Sequence, residues 1–556
     1  MIKNNLHFEF WPDRLSKTLT VPKTTLYENL LTTAKRYPNK AAIHFYGKTL
    51  SYNDLLYEVE KLAGYLEKEL NIEMGDNVLL FMQNSPQYII SLFAILRIRA
   101  VVIPINPMSI TSELSFYISD AKIKYALVSQ ELFSKVASLK EEGLLKHVIV
   151  TAYSEYVDEA NALDELPSVM KMSVENNEGV ICWTDVIHYD QNPSTYDGHI
   201  DDVAMIPYTS GTTGVPKGCV HTNETIQANV VGAYHWMNMT SDSVILTTLP
   251  LFHVTGLVHS ALAPIYSGSK MILFSRWDKY YAIKSIEHFE ITHWINISTM
   301  LIDFLSNKEL DNYNLSSLVL VGGGGAPLPE AIGKKLQDTT GLNYVEGYGL
   351  SETMSHTHFN PPHRPKLQCL GIPAFGVDAR VIDSETMQEL KPEKEGELIV
   401  NGPQMFKEYY NNPIETEESI IYLDGKRFFR TGDIVKMDNE GYFFIVDRLK
   451  RMINAAGYKV WPTEVESILY NHPAINQACV ISAPDAIRGE TVKAVVTINE
   501  EYKGKIDEEQ IIEWSKEKLA SYKYPRIVEF REHLPITSSG KILWRELQEE
   551  NDVKLG

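Results

Sequence analysis

Strand-like and helix-like segments alternate along this chain from residue 51 to about residue 350. Apolar residues between 55 and 66 recur at helical spacing, and Ser51 followed by Asp54 predicts a capped helix start. Short apolar runs predict strands at residues 77–82, 100–105, 125–128, 148–150, 205–208, 244–248, 271–274 and 318–321. Because crossover helices join parallel strands, this alternation predicts an α/β fold with largely parallel sheets covered on both faces.

The pattern changes after residue 376. Strand-like runs at 379–382, 397–400, 428–437 and 442–446, with turns expected at 395–396 and 439–441, predict a small β-rich subdomain. A lysine-rich mixed region follows. Since 556 residues exceed what one core usually supports, we expect a large N-terminal domain of doubly wound mixed sheets at residues 1–446, including that subdomain, and a small α+β C-terminal domain at residues 447–556.

Charge and composition narrow the classes of function. The net charge of −20 disfavours a nucleic-acid partner, because phosphate backbones require a basic face. The four cysteines form no CxxC pair, so neither disulfides nor a thiolate zinc site is expected. No signal peptide is apparent, and Arg97, Arg99 and Pro104 interrupt the most apolar stretch, so we expect no transmembrane segment and a cytoplasmic location.

The most informative motif is the run Thr-Ser-Gly-Thr-Thr-Gly-Val-Pro-Lys-Gly at residues 209–218. Glycines let the backbone approach an anion, hydroxyls donate hydrogen bonds, and Lys217 supplies positive charge. The run is not a Walker A loop, since no Gly-Lys-Ser/Thr ends it. A flexible surface turn is the alternative, but the run follows a predicted buried strand, which favours a phosphate-binding loop.

Three further segments carry chemistry. The glycine run at 322–327 either offers bare backbone to a flat base or an acyl chain or is a tight strand-to-helix turn, and the run alone does not distinguish the two. In the segment 347–353, Glu352 is a carboxylate suited to Mg²⁺ and Tyr348 a stacking surface for a base. Near the C-terminus, the segment 535–541 ends in Gly540-Lys541, and only its place in the ordered set of motifs distinguishes this lysine from the others in the chain.

In order and spacing, these motifs resemble those of the adenylate-forming superfamily, which contains acyl-CoA synthetases, luciferases and peptide-synthetase adenylation domains. The resemblance runs from Leu26 to Arg545. It implies a two-step ligase: a carboxylic acid and Mg·ATP give acyl-AMP and pyrophosphate, and coenzyme A (CoA) then displaces AMP. ATP, Mg²⁺ and CoA are therefore the expected cofactors and cosubstrates.

The resemblance also assigns roles by residue. The catalytic set is Lys541, Glu352, Ser351 and His253, with Glu352 also the metal ligand. The nucleotide set is Thr209, Ser210, Gly211, Thr212, Thr213, Gly214, Lys217, Gly325, Ala326, Pro327, Gly347, Tyr348, Gly349, Asp433, Ile445 and Arg448. The CoA set is Gly457, Tyr458, Lys459 and Trp461. The acid set is Tyr234, Trp236, Gly323 and Gly324, and Lys450 is the hinge across which the small domain rotates.

The acid itself is less constrained. Aromatic and apolar residues at 226–239 and 292–301 favour a medium- or long-chain fatty acid, although core packing explains such stripes as often. His253 stands where a peptide-synthetase domain supplies an Asp, which argues against amino acids. Three alternatives remain open: an aryl acid, another small acid, and a non-catalytic adenylate-binding protein. The sequence does not settle the oligomeric state, and a homodimer is one option.

Overall fold

The computed structural model describes residues 6–174, 179–209, 215–325, 327–455, 458–485, 488–536 and 542–555. The chain divides into two compact units. The first is formed by Lys3–Asp378 and Val400–Phe429, the second by Ala379–Ile399 and Arg430–Gly556. The second unit thus takes in residues on both sides of position 447, and a rotating domain that begins there stays a prediction.

The first unit contains, among the described residues, a nine-stranded sheet that is parallel at its centre and antiparallel at both edges. From edge to edge its strands are Ile372–Pro373, Ser355–Phe359, Tyr344–Leu350, Leu320–Gly324, His293–Asn296, Val244–Thr247, Lys270–Leu273, Ala41–Phe45 and Lys48–Ser51. The strand order crosses the sequence order repeatedly, as helical crossovers require.

A second sheet of the first unit has seven strands in the described part of the chain and is also mainly parallel. Its strands, in spatial order, are His221–Thr222, Val203–Met205, Val101–Pro104, Asn77–Phe81, Tyr125–Ser129, His147–Thr151 and Ile181–Cys182. Its core is almost wholly aliphatic, and Leu79, Ile103 and Val128 are fully buried there. The predicted α/β architecture with doubly wound mixed sheets is confirmed.

Helices cover these sheets. They are Leu26–Arg36, Tyr52–Lys68, Pro86–Arg97, Thr111–Asp120, Ser134–Glu141, Trp183–Ile187, Asn223–Trp236, Val254–Leu257, Ala263–Ser267, Lys279–Phe289, Ser298–Leu305, Glu330–Thr340 and Pro413–Glu418. The predicted cap is confirmed, because the Ser51 hydroxyl accepts from the Asp54 amide and the Asp54 carboxylate accepts from the Ser51 amide. A π-helical turn, Val258–Leu262, lies between two of the short helices.

Five strands lie between residues 378 and 448: Asp378–Ile382, Glu395–Asn401, Ile420–Leu423, Lys426–Met437 and Phe443–Arg448. Ile420–Leu423 pairs with residues 426–429, and residues 433–437 pair with Phe443–Arg448, both antiparallel. The predicted β-rich segment is therefore present. The turn expected at 395–396 is wrong, since both residues belong to a strand; the chain turns earlier, where Pro392 precedes Glu393 at φ 66°.

The C-terminal part of the second unit is an α+β arrangement, as the sequence predicts. Its strands are Tyr458–Val460, Ile453–Ala455, Gly489–Ile498, Ile475–Asp485 and Ile527–Phe530, and its helices are Pro462–Leu469, Glu508–Lys516 and Trp544–Leu555. A buried aliphatic cluster that includes Val465, Val480 and Val492 packs helix against sheet. This part of the chain therefore has a hydrophobic core of its own.

Two predicted strand boundaries are wrong for identifiable reasons. The run at 205–208 is not one strand, because Pro207 lacks an amide hydrogen; Val203–Met205 ends before it, and Tyr208–Thr209 begins a separate hairpin. The run at 318–321 continues to Gly324, so the first three residues of the glycine run are strand residues rather than a loop.

Candidate active site

Three of the predicted segments meet at one edge of the nine-stranded sheet. The parallel strands Val244–Thr247, His293–Asn296, Leu320–Gly324 and Tyr344–Leu350 lie side by side in this order, and each ends at the same edge. The segments that carry His253, Gly325 and Glu352 follow three of these strands. This edge is where ligands bind in open α/β sheets.

Close backbone packing explains the glycines of these strands. A Cβ at Gly323 would lie 1.8 Å from the Asn296 carbonyl oxygen, and one at Gly324 would lie 2.4 Å from the Gly347 carbonyl oxygen. A Cβ at Gly349 would lie 1.7 Å from the Ser355 carbonyl oxygen. The strands therefore exclude any side chain here, whether or not a ligand lies above them.

Beyond the strands, the backbone opens to solvent. Gly325 has φ +88°, a conformation that favours glycine, and both Gly325 and Pro327 are exposed. Tyr348 is half-buried, with its ring edge-on to that of His358 at 5.8 Å between centroids. Ala326 lies outside the described residues. An exposed glycine turn beside a half-buried tyrosine offers a surface on which a planar base can lie.

Glu352 lies in a segment with an unusual backbone. Ser351–Thr353 form a 3₁₀ turn, after which Met354 has φ 44° and Ser355 has φ 96°. Residues other than glycine rarely adopt these angles, and such strain persists only where the surroundings impose it.

Two buried side chains from neighbouring elements impose this conformation. Asn229, in the helix Asn223–Trp236, donates from Nδ2 to the carbonyl oxygens of Thr353 at 2.8 Å and Met354 at 2.9 Å. His221 Nε2 lies 2.7 Å from the Ser351 carbonyl oxygen, which can only accept, so this nitrogen carries the proton. Burial lowers the pKa of His221 to about 4, and the ring is therefore neutral at pH 7.

The two ends of the predicted phosphate-binding motif pair as antiparallel strands, and we call this pair the base of a hairpin. Thr209 pairs with Lys217, and Tyr208 pairs with Gly218. Ser210, Gly211, Thr212, Thr213 and Gly214 lie outside the described residues. The Lys217 ammonium forms an ion pair with Glu415 and lies 5.0 Å above the ring of Tyr409, and only 10% of the Lys217 side chain is exposed.

Segment 406–410 links this hairpin to Glu352. Its Lys407 and Glu408 exchange backbone hydrogen bonds with Val220, and its Tyr410 amide donates to the Gly218 carbonyl oxygen. On its other side, the Phe406 amide donates to the Glu352 carbonyl oxygen at 2.8 Å. The Tyr409 hydroxyl donates to the Glu352 carboxylate at 2.7 Å. One short segment thus holds both the exit of the hairpin and the predicted metal ligand.

The predicted acid-binding residues differ in environment. His253 is exposed and caps the helix Val254–Leu257, accepting from the Thr255 amide at 3.3 Å. Tyr234 is half-buried against Tyr266. Trp236 is fully buried, and its indole donates to the Asn360 carbonyl oxygen at 3.0 Å.

Trp236 belongs to a packed group of aromatic rings. The rings of Trp11, Phe359 and Phe375 surround it at 4.9, 5.8 and 5.7 Å between centroids. Burial of these rings stabilises the first unit. Any effect of Trp236 on an acid pocket therefore acts through the packing of this aromatic group.

A buried carboxylate supports the two loops predicted to flank a base. Glu346 accepts backbone hydrogen bonds from Leu328 at 2.7 Å and Cys369 at 3.3 Å. Burial raises the pKa of Glu346 to about 7, against the opposing effect of these amides. Glu346 immediately precedes Gly347, so it connects the two loops that flank the predicted base site.

The second unit carries the predicted ribose contacts. Asp433 is buried opposite Arg448 across a hairpin, and Arg448 Nε lies 2.9 Å from Asp433 Oδ1. Ile445 is half-buried on the same strand as Arg448. Arg430, in the strand Lys426–Met437, pairs with the buried carboxylate of Glu397, with its terminal nitrogen 2.6 Å from the nearer oxygen.

The predicted CoA residues and hinge lie farther along this unit. Tyr458 is 58% exposed and stacks on Tyr522 at 4.7 Å, and Trp461 is half-buried at the start of the helix Pro462–Leu469. The backbone of Lys450 is in a 3₁₀ turn, Leu449–Arg451. The side chains of Lys450 and Lys459, and the whole of Gly457 and Lys541, lie outside what the structure describes.

Sequence reasoning missed His221, Asn229, Glu346 and Tyr409. Nothing in their spacing marks them, since each acts through a partner that is distant in sequence.

Comparisons with known proteins agree with this geometry. Residues 30–410 match the family described as AMP-binding enzyme, and residues 464–541 match the AMP-binding enzyme C-terminal domain. The chain therefore belongs to the AMP-binding enzymes, within the adenylate-forming superfamily that includes the acyl-CoA synthetases.

Individual relatives cover nearly the whole chain. A long-chain-fatty-acid–CoA ligase of Bacillus subtilis (strain 168) is 36% identical over 550 residues, 97% of each chain. A feruloyl-CoA synthase of Amycolatopsis sp is 31% identical over 521 residues, 93% of this chain and 96% of its own. The crystal structure of ATP-bound MatB from Rhodopseudomonas palustris matches with TM-score 0.82 at 26% identity, covering 96% of this chain and 100% of that one.

None of the helices in the described ranges is both long and apolar enough to cross a membrane.

Proposed function

We propose that this protein is an ATP-dependent ligase that joins a long-chain fatty acid to CoA through an acyl-adenylate. The observation that carries the proposal is the meeting of the His253, Gly325 and Glu352 segments at one sheet edge, held to the base of the phosphate hairpin by segment 406–410. The long-chain substrate is supported by the name of the Bacillus relative, which spans the same length of chain.

In the first step the acid carboxylate attacks the α-phosphorus of ATP and expels pyrophosphate. The hairpin at 209–218 binds the leaving phosphates, and the turn at Gly325 and the ring of Tyr348 hold the adenine. Lys541 bridges the two reacting anions, and Asp433 with Arg448 holds the ribose. In the second step the CoA thiol attacks the acyl carbon and AMP leaves, after rotation about Lys450 has brought Tyr458 and Trp461 to the thiol channel.

The residues near Glu352 suit Mg²⁺, which prefers a few carboxylate oxygens together with phosphate oxygens and water. The Glu352 carboxylate is half-buried and fixed in orientation by Tyr409, and the Ser351 hydroxyl group is next to it in the chain. When bound, the ion supplies positive charge that neutralises the phosphates of ATP.

The test is CoA consumption with acids of graded length and shape. With ATP and Mg²⁺ present, palmitate is expected to give a higher kcat/KM than octanoate, and both a higher value than ferulate. An aryl-acid ligase is the second candidate because of the feruloyl-CoA synthase relative, and a preference for ferulate would establish it instead. Acid-independent ATP binding with no thioester from any of the three would favour an adenylate-binding protein. We place the protein in the cytoplasm, where CoA and ATP are available.

A further inference from the structure

We propose that Tyr409 is a positioning residue that sets the orientation of the Glu352 carboxylate for the Mg²⁺ carried by ATP. The proposal rests on the function proposed above, because it takes Glu352 to be the metal ligand. Tyr409 itself touches no reacting atom; it acts through Glu352.

The first support is the geometry of the hydroxyl group. Tyr409 is 4% exposed, and its hydroxyl donates to Glu352 Oε1 at 2.7 Å. A charge-assisted hydrogen bond of this length restricts the rotation of the carboxylate. Mg²⁺ demands near-ideal octahedral geometry, so a ligand held in one orientation binds it better than one that rotates freely.

The second support is the position of the tyrosine between two functional elements. Its ring lies 5.0 Å below the ammonium of Lys217, at the base of the phosphate hairpin, while its hydroxyl reaches the metal ligand. Its backbone forms a bridge with Cys219, one residue beyond the hairpin. The chain that leaves the hairpin therefore fixes the position of Tyr409. The Tyr409 hydroxyl group in turn fixes the position of the Glu352 carboxylate.

The third support is that Glu352 is held twice by the same segment. Phe406 fixes its main chain through the carbonyl oxygen, and Tyr409 fixes its side chain. The hydroxyl of a buried tyrosine needs a hydrogen-bond partner, and for Tyr409 that partner is the carboxylate of the predicted metal ligand. Loss of the hydroxyl should therefore alter the response to Mg²⁺ and leave the fold intact.

The test compares Tyr409→Phe with Tyr153→Phe, whose buried hydroxyl also donates to a carboxylate, that of Glu131 at 2.8 Å, elsewhere in the same unit. Binding of α,β-methylene-ATP is measured by calorimetry with Mg²⁺ and with EDTA. Tyr409→Phe is expected to weaken binding about threefold to tenfold with Mg²⁺ and to leave binding in EDTA unchanged. Tyr153→Phe is expected to change neither value.

A double-mutant cycle identifies the route of the effect. In a Glu352→Gln background, Tyr409→Phe should cause no further loss of Mg²⁺-dependent binding. Equal weakening with and without Mg²⁺, an unchanged Mg²⁺ response, or additive losses in the cycle would each overturn the proposal. If instead the wild type shows no fatty-acid-dependent exchange of pyrophosphate into ATP, the proposed function fails, and the nucleotide-binding result still decides the role of Tyr409.

Discussion

At the scale of single residues, the Asn229 amide is one of the two buried side chains that hold the strained backbone around Glu352. Asn229 is the donor to two consecutive carbonyl oxygens, those of Thr353 and Met354. A buried carbonyl group that loses its donor costs free energy of folding, and the strain at Ser355 adds to the tendency of this segment to rearrange.

Asn229→Ala is therefore expected to lower the free energy of unfolding by about 1–3 kcal/mol and to reduce acid-dependent pyrophosphate exchange at least tenfold. Thermal unfolding and the exchange rate measure the two effects. Asn29→Ala is the matched control, since Asn29 is also buried but donates to the Gln227 side chain. It should lose similar stability and keep its exchange activity; equal activity losses in both variants would contradict the assignment.

Glu346 gives a prediction for pH. The folded-state pKa of about 7 is above the ordinary value of 4.5, so the folded state binds the proton more tightly than the unfolded state does. The protonated Glu346 carboxyl group therefore contributes its full stabilisation below pH 4.5. This contribution, on the order of 3 kcal/mol, is lost as the pH rises towards 7.

Glu346→Gln removes this titration. Between pH 5 and pH 7.5, rising pH should therefore lower the Tm of the wild type relative to the Tm of the variant. Parallel curves of Tm against pH for the two proteins would show that the Glu346 carboxyl group does not titrate in this window.

The chemistry-bearing residues were predictable where a local motif marks them. Glu352, Tyr348 and Lys217 lie in runs whose composition indicates phosphate or base binding, and the structure brings the Glu352 segment and the hairpin together. Their supporting residues were not predictable, because Asn229 and Tyr409 act across 124 and 57 positions in sequence. The ion pair of Lys217 with Glu415 was likewise not predictable, because its two residues lie 198 positions apart in sequence.

At the scale of secondary-structure elements, glycine spacing decides how closely the central strands approach. Gly323 lies against the neighbouring strand at the Asn296 carbonyl oxygen, only 1.8 Å from where its Cβ would be. Rotation of a side chain cannot make room for a methyl group at this position, because the atom that it would clash with belongs to the backbone.

Gly323→Ala is accordingly expected to destabilise the first unit by more than about 3 kcal/mol or to prevent folding. Gly341→Ala is the control, because no atom lies within 4 Å of its Cβ and its cost comes only from φ +75°, about 1 kcal/mol. Soluble yield and Tm measure the difference. A Gly323→Ala protein as stable as Gly341→Ala would contradict the packing argument.

The alternation of patterns predicted strands of both large sheets, since buried parallel strands appear as short apolar runs, but it predicted no strand at His293–Asn296 or Tyr344–Leu350. The strands predicted at 77–82 and 125–128 agree with the observed strands within one residue. Strand ends were predicted less well. The glycine run was expected to end a strand at residue 321, although close strand packing requires glycines inside that strand. A turn was expected at 395–396, although Pro392 and Glu393 form the turn.

At the scale of the whole molecule, the proposed chemistry divides between residues of the two units. The phosphate hairpin, Glu352 and the glycine turn belong to the first unit, and Asp433, Arg448 and Lys541 belong to the second. Under the rotation about Lys450 that we propose, a cation on the second unit acts in adenylation and withdraws before CoA attacks. This division predicts that the loss of Lys541 affects the first step and spares nucleotide binding.

The most direct test of the account is acid-dependent exchange of labelled pyrophosphate into ATP, measured for the wild type and Lys541→Ala with palmitate. The wild type should exchange only when the acid is present. Lys541→Ala should lose at least about a hundredfold in exchange rate while it binds ATP with unchanged affinity. Exchange by the wild type without acid, absence of exchange with every acid tried, or full exchange by Lys541→Ala would contradict the central claim that this chain forms an acyl-adenylate with Lys541 as its catalytic cation.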